Sequence, residues 1–144
     1  AIVDYAHNAL SFEKLFASTK EEYPDFRIEI VFGCPGGKGV QRREGLPAIV
    51  GKYADFAYIT EEDPGPERLE DISAVLYENL SRHGCSAKII NDREAAIEEA
   101  IKNAPDNTVI LITAKGRETR QKRGSEYVPV VSDVDIVLRH MREK

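Results

Sequence analysis

Cysteine is scarce in this chain. Only Cys34 and Cys85 occur, and they fit no metal-ligand spacing. Free thiols are expected, and a disulfide framework or a cysteine-rich metal site is not. No apolar run approaches the roughly 18 residues that a membrane-spanning helix needs. The first residues show no basic segment followed by an apolar one, so no signal peptide is expected, and a cytoplasmic location is. Positive charge is not in excess either. Twenty Lys and Arg against 25 Asp and Glu leave a net charge of −5, the wrong sign for a general nucleic-acid binder. The phosphate-binding signature GxxxxGK followed by Ser or Thr is missing, so no nucleotide P-loop is expected. Methionine occurs once, at Met141. The chain opens on "AIVDYAH", which reads as a strand already under way. A single domain spanning residues 1–144, cut from a longer protein, is therefore expected; removal of an initiator methionine ahead of Ala1 is the other explanation.

What is present is an ordinary globular composition, 42% hydrophobic and 31% charged, enough for one domain with one buried core. Short β-branched runs alternate with amphipathic stretches. Strands are expected at 1–6, 27–33, 56–60, 87–90 and 108–113, with a further extended piece at 127–131. Helices are expected at 11–23, 45–54, 66–84 and 93–104, and from Ser132 or Asp133 to the end. Strands alternating with helices predict an α/β fold. It is Rossmann-like, a mostly parallel sheet of about six strands with helices on both faces.

Such sheets bind ligands at the carboxyl ends of their strands, which singles out four loops. In the first, "DYAHN", Asp4 can accept from ribose hydroxyls and His7 can stack on a base or donate to a phosphate, with Asn8 beside them. The same residues would also serve as a plain strand end and helix start. The second, 34–44, combines three glycines with Lys38, Arg42 and Arg43, a set suited to a carboxylate or phosphate. The third, 61–67, carries Glu61, Glu62 and Asp63 ahead of two prolines. These carboxylates can receive an ammonium group or simply be solvated. The fourth, 114–124, places Lys115, Arg117 and Glu118 around Gly116.

Taken together the loops resemble the C-terminal domain of the Mur ligases, nearest the MurE type that builds UDP-MurNAc-tripeptide. "VDYAHN", "VFGCPGGKGVQRR", "TEEDPGPE" and "TAKGRETRQ" are similar to that family's "VDYAHTP", "VFGCGGDRDKGKR", "TSDNPRTE" and "AGKGHEDYQ", in the same order, and "NDREAAIEEAI" follows its "DRAEAI". The resemblance implies a three-domain parent. One domain holds UDP-MurNAc-L-Ala-D-Glu, and a central one holds ATP and Mg²⁺, with no metal ligands in this chain. The third closes over both and brings a diamino acid. ATP would phosphorylate the peptide carboxylate, and the amine would attack the acyl phosphate. The partners implied are the small-molecule substrates and the chain's own amino-terminal and central domains, with no nucleic acid or membrane.

By the same resemblance, Asp4, His7 and Asn8 would meet ATP. Lys38, with Arg42 or Arg43, would hold the acceptor's α-carboxylate. Glu62, Asp63, Gly65, Ala114 and Glu118 would surround its far end. Gly65 stands where relatives adding diaminopimelate have arginine. Loss of that cation beside Glu62, Asp63 and Glu118 implies L-lysine or ornithine as acceptor. Two other readings stay open: a folylpolyglutamate or cyanophycin synthetase type of ligase, and a nucleotide-binding α/β module without chemistry.

Overall fold

The structure, a computed structural model, describes residues 1–142. Five parallel strands form its sheet in the order β1-β5-β2-β3-β4. They are β1 (Ile2–Asp4), β2 (Arg27–Phe32), β3 (Phe56–Ile59), β4 (Ala87–Ile89) and β5 (Thr108–Thr113). The apolar runs "IEIVF" and "VILIT" are buried from end to end because β2 and β5 lie inside the sheet with helices on both sides.

Three helices cover one face: α1 (Ala9–Glu22), α2 (Arg42–Tyr53) and α3 (Leu69–Arg82). Their Phe12, Phe16, Leu46, Val50, Leu76 and Leu80 pack on Ile28, Ile30 and Leu111. The other face is covered by α4 (Arg93–Asn103) and α5 (Asp133–Arg142), through Ala96, Ile97, Ala100 and Ile136 against Val31 and Ile112. The last two residues of the expected final helix lie outside the described residues.

Two expectations change. Helix α2 starts at Arg42, three residues before the expected 45, so Arg42 and Arg43 belong to its first turn and not to the loop. Pro47 concealed this. It cannot donate to the carbonyl of Arg43 four residues back, and Asn79 Nδ2 on α3 takes that carbonyl instead at 2.6 Å. The stretch 114–126, expected to be a polar loop, contains a strand. Here β6 (Arg120–Arg123) pairs antiparallel with β7 (Glu126–Pro129) through a two-residue turn in which Gly124 has φ +62°. The sixth extended piece therefore joins a hairpin, and the main sheet has five strands.

Caps behave as their side chains dictate. Asn8 and Ser11 exchange reciprocal hydrogen bonds at the start of α1. Asp92 caps α4, and Ser132 Oγ accepts from the Asp135 amide at α5.

Candidate functional site

The chain leaves β2 toward one face and, after the hairpin, leaves β5 toward the other. Adjacent strands whose connections part in this way open a crevice at their carboxyl ends. Loops after β2 and β3 meet there backbone to backbone. A Cβ on Gly33 would overlap the carbonyl oxygen of Thr60, and one on Gly36 that of Pro64. Gly36 N–H donates to the Asp63 carbonyl at 3.1 Å. Gly33 and Gly36 thus serve close approach between loops.

The cations divide into two kinds. Arg43 is buried, and its terminal nitrogens reach both oxygens of Glu67 (2.6 and 2.8 Å) and the Pro35 carbonyl (3.1 Å). That engagement corrects the expectation that both arginines offer their forks to a ligand: Arg43 ties α2 to the loop after β3. Lys38 is exposed and Arg42 half-buried, and neither side chain makes a hydrogen bond or ion pair among the described residues. The field of Arg42 reaches Glu62 and Cys34.

The carboxylates divide likewise. Glu61 is buried and paired with Arg123 of the hairpin. Asp63, with φ +44°, accepts Lys115 Nζ on both oxygens, at 2.8 and 2.9 Å, and also the Lys122 amide at 2.8 Å. Its own amide donates to Gln121 Oε1 at 2.8 Å. Lys115 also reaches Glu118 Oε1 at 3.2 Å and the Arg120 carbonyl at 2.9 Å. Where an incoming ammonium was expected between Asp63 and Glu118, the protein has an ammonium of its own. The other Glu118 oxygen has no partner among the described residues. Glu62 makes no hydrogen bond either. Burial pushes its carboxyl up to about 7, against the pull of Arg93 and Arg42. Cys34 beneath it is driven by burial up to about 12 and is inert as a thiol.

At the neighbouring loop, Asp4 accepts the Ala6 amide on Oδ1 at 2.8 Å. His7 is exposed, with Nδ1 2.9 Å from the Tyr5 carbonyl. Asn8 is spent on the helix cap. Tyr5 underlies the fourth loop: its hydroxyl accepts the Arg117 amide at 3.1 Å, and a Cβ on Gly116, whose φ is +53°, would stand 2.5 Å from its ring. Ala114, with φ +82°, donates its amide to the Asp4 carbonyl. Gly65, with φ +60°, bridges the hairpin: its amide donates to Lys122 and its carbonyl accepts from Gly124. Its side-chain position faces space that only Lys122 and the Gly124 carbonyl approach within 4 Å.

Sequence reasoning named Lys115 in the fourth loop without its internal partners and missed Arg93 and Arg123. Arg93 is the hub. Its guanidinium holds Asp133 with two bonds (2.8 and 2.7 Å) and reaches the Glu61 and Thr113 carbonyls (3.0 and 2.6 Å). A cavity of about 260 Å³ beside it is lined by Glu61, Lys115, Glu118, Arg123, Val131 and Asp133. Among the described residues no group of three His, Cys, Asp or Glu side chains is arranged to hold a metal ion.

A parallel sheet covered by helices on both faces, with cations and carboxylates at its carboxyl edge, defines an α/β domain of the Rossmann-like kind. The family model of the Mur ligase glutamate ligase domain matches residues 1–116, and the chain belongs to that family. It is 36% identical over 142 residues to the UDP-N-acetylmuramyl-tripeptide synthetase of Lactobacillus delbrueckii subsp. bulgaricus, covering 99% of this chain and 28% of that protein. It is 37% identical over 120 residues to the UDP-N-acetylmuramoyl-L-alanyl-D-glutamate–2,6-diaminopimelate ligase of Clostridioides difficile, covering 83% and 25%. Among solved structures, a UDP-N-acetylmuramoyl-L-alanyl-D-glutamate–2,6-diaminopimelate ligase superposes with a TM-score of 0.85 at 23% identity, covering 98% of this chain and 29% of that one. The chain thus spans between a quarter and three tenths of these relatives' length.

Proposed function

We propose that the chain is the carboxyl-terminal domain of a three-domain, ATP-dependent ligase of the cytoplasm. The ligase adds a diamino acid, L-lysine by the reading of Gly65, to UDP-MurNAc-L-Ala-D-Glu. ATP converts the glutamate side-chain carboxylate to an acyl phosphate, releasing ADP. The acceptor amine attacks the carbonyl carbon, the amide forms, and inorganic phosphate leaves. This domain's part is to deliver the amine and to close the cleft, which is catalysis by positioning.

The observation that carries the proposal is the division within the crevice. The side chains of Lys38 and Arg42 have no hydrogen-bond or ion-pair partner among the described residues, and neither do Glu62 and one oxygen of Glu118, while the field of Arg42 reaches Glu62. A zwitterionic acceptor with a second amine needs both signs. Relatives more than 30% identical carry matching names. Those names divide between a tripeptide synthetase and a diaminopimelate ligase, so the choice of lysine rests on Gly65 and the open carboxylates. ATP would meet Asp4, whose Oδ2 has no partner among the described residues, and the outward edge of His7. Mg²⁺ would be held by the central domain, since the carboxylates here are committed or isolated.

The test is phosphate release by the full-length protein with ATP, UDP-MurNAc-L-Ala-D-Glu and L-lysine, L-ornithine or meso-diaminopimelate. Turnover with lysine or ornithine in preference is expected. Preference for diaminopimelate would overturn the reading of Gly65, and silence with all three would overturn the ligase reading itself.

A further inference from the structure

Two of the three non-glycine residues with positive φ among the described residues, Asp63 and Ala114, flank the contacts of one side chain, Lys115. Backbone held in that region costs on the order of 1–3 kcal/mol per residue and persists only where the surroundings over-determine it. Lys115 supplies that determination. It is 3% exposed, and its ammonium meets Asp63 twice, Glu118 once and the Arg120 carbonyl once. The three groups it joins come from the loop after β3, the loop after β5 and the hairpin.

We propose that Lys115 is the positioning residue of the acceptor pocket, acting through Glu118. Asp63, with both oxygens engaged, anchors the lysine and does not touch the acceptor. Lys115 in turn holds one oxygen of Glu118, a side chain 44% exposed, and leaves the other free. The charge count fits one guest. Asp63 and Glu118 contribute two negative charges and Lys115 one positive, so this cluster keeps a net negative charge that an ammonium can meet. Without Lys115, two crowded carboxylates would be left, Glu118 unheld and Asp63 kept only by the Lys122 amide. The inference rests on the ligase reading above and assigns within it a residue whose contacts are all internal.

The test uses the full-length protein and two variants. Lys115→Met keeps the length of the stem and removes the ammonium. Asp63→Asn leaves Lys115 present but weakens its anchor, so a fold lost in the first variant does not end the test. Both should raise KM for the amino acid on the order of tenfold while leaving KM for ATP within about twofold. Ammonium ion, small enough for the place that Nζ vacates, should restore part of the loss in Lys115→Met and nothing in wild type, a response that general loosening of the domain would not give. Equal rises in the two KM values, an Asp63→Asn variant that behaves as wild type, or no response to ammonium ion would each overturn the proposal and leave the ligase reading standing. Wild type silent with every amino acid would overturn both.

Discussion

Glu62 is the residue on which pH acts. Its carboxyl titrates near 7 because burial disfavours the charged form. A carboxyl whose pKa is higher in the folded than in the unfolded chain binds its proton more tightly when folded. Folding stability therefore falls as pH rises from the ordinary carboxylate range to about 7, by up to about 3 kcal/mol. Glu62→Gln should flatten that fall, as read from urea midpoints between pH 5 and 8. In the full-length protein, acceptor binding should strengthen over the same window as Glu62 ionises, and the Gln variant should lose that rise. The sequence made the three carboxylates of "TEEDPGPE" visible but not their different fates. Glu61, Glu62 and Asp63 are neighbours in the chain. One meets Arg123 and another Lys115, residues more than 50 positions away, and the third bonds to no side chain among the described residues. Pairing at that distance leaves no local pattern to read.

At the scale of elements, Arg93 does the most. It opens α4, grips the first residue of α5 and holds the carbonyls at the ends of β3 and β5. Asp133 is 2% exposed, so removing its partner leaves a buried charge unmatched. Arg93→Met should cost about 3–5 kcal/mol, measured by denaturant unfolding. Asp133→Asn should cost less, because the amide oxygen still accepts. Boundaries of β2, β3, β5 and α4 were legible because apolar period and caps agree there. The hairpin was not. Only Gln121 of β6 is buried, so "RQKR" offers no alternation of apolar residues, and its pairing depends on Gly65 and on Asp63 across the fold. The first turn of α2 was missed because Gly45 and Pro47 look like a helix start, and the compensating Asn79 lies on another helix.

For the molecule as a whole, the order of motifs along the chain carried the family, and the family model agrees over residues 1–116. The catalytic claim lies beyond this chain. The 144 residues by themselves should release no phosphate from ATP in the presence of lysine and precursor, while the full-length protein should; turnover by the isolated chain would sink the division of labour proposed here. A second cavity, of about 460 Å³, opens at the far, amino end of the sheet beside Phe26, Ile110 and Val137. Its distance from the cation and carboxylate loops separates it from the chemistry.

The hairpin's attachment has an evolutionary side. Gly65 bonds to Lys122 and Gly124, Asp63 to Lys115, Lys122 and Gln121, and Glu61 to Arg123. Residues 61–65 and 115–124 therefore cannot drift independently. A change in acceptor preference must be inherited as a linked pair of segments. A chimera receiving only one segment from a relative would lose its seat, whereas one receiving both would carry the whole latch with it.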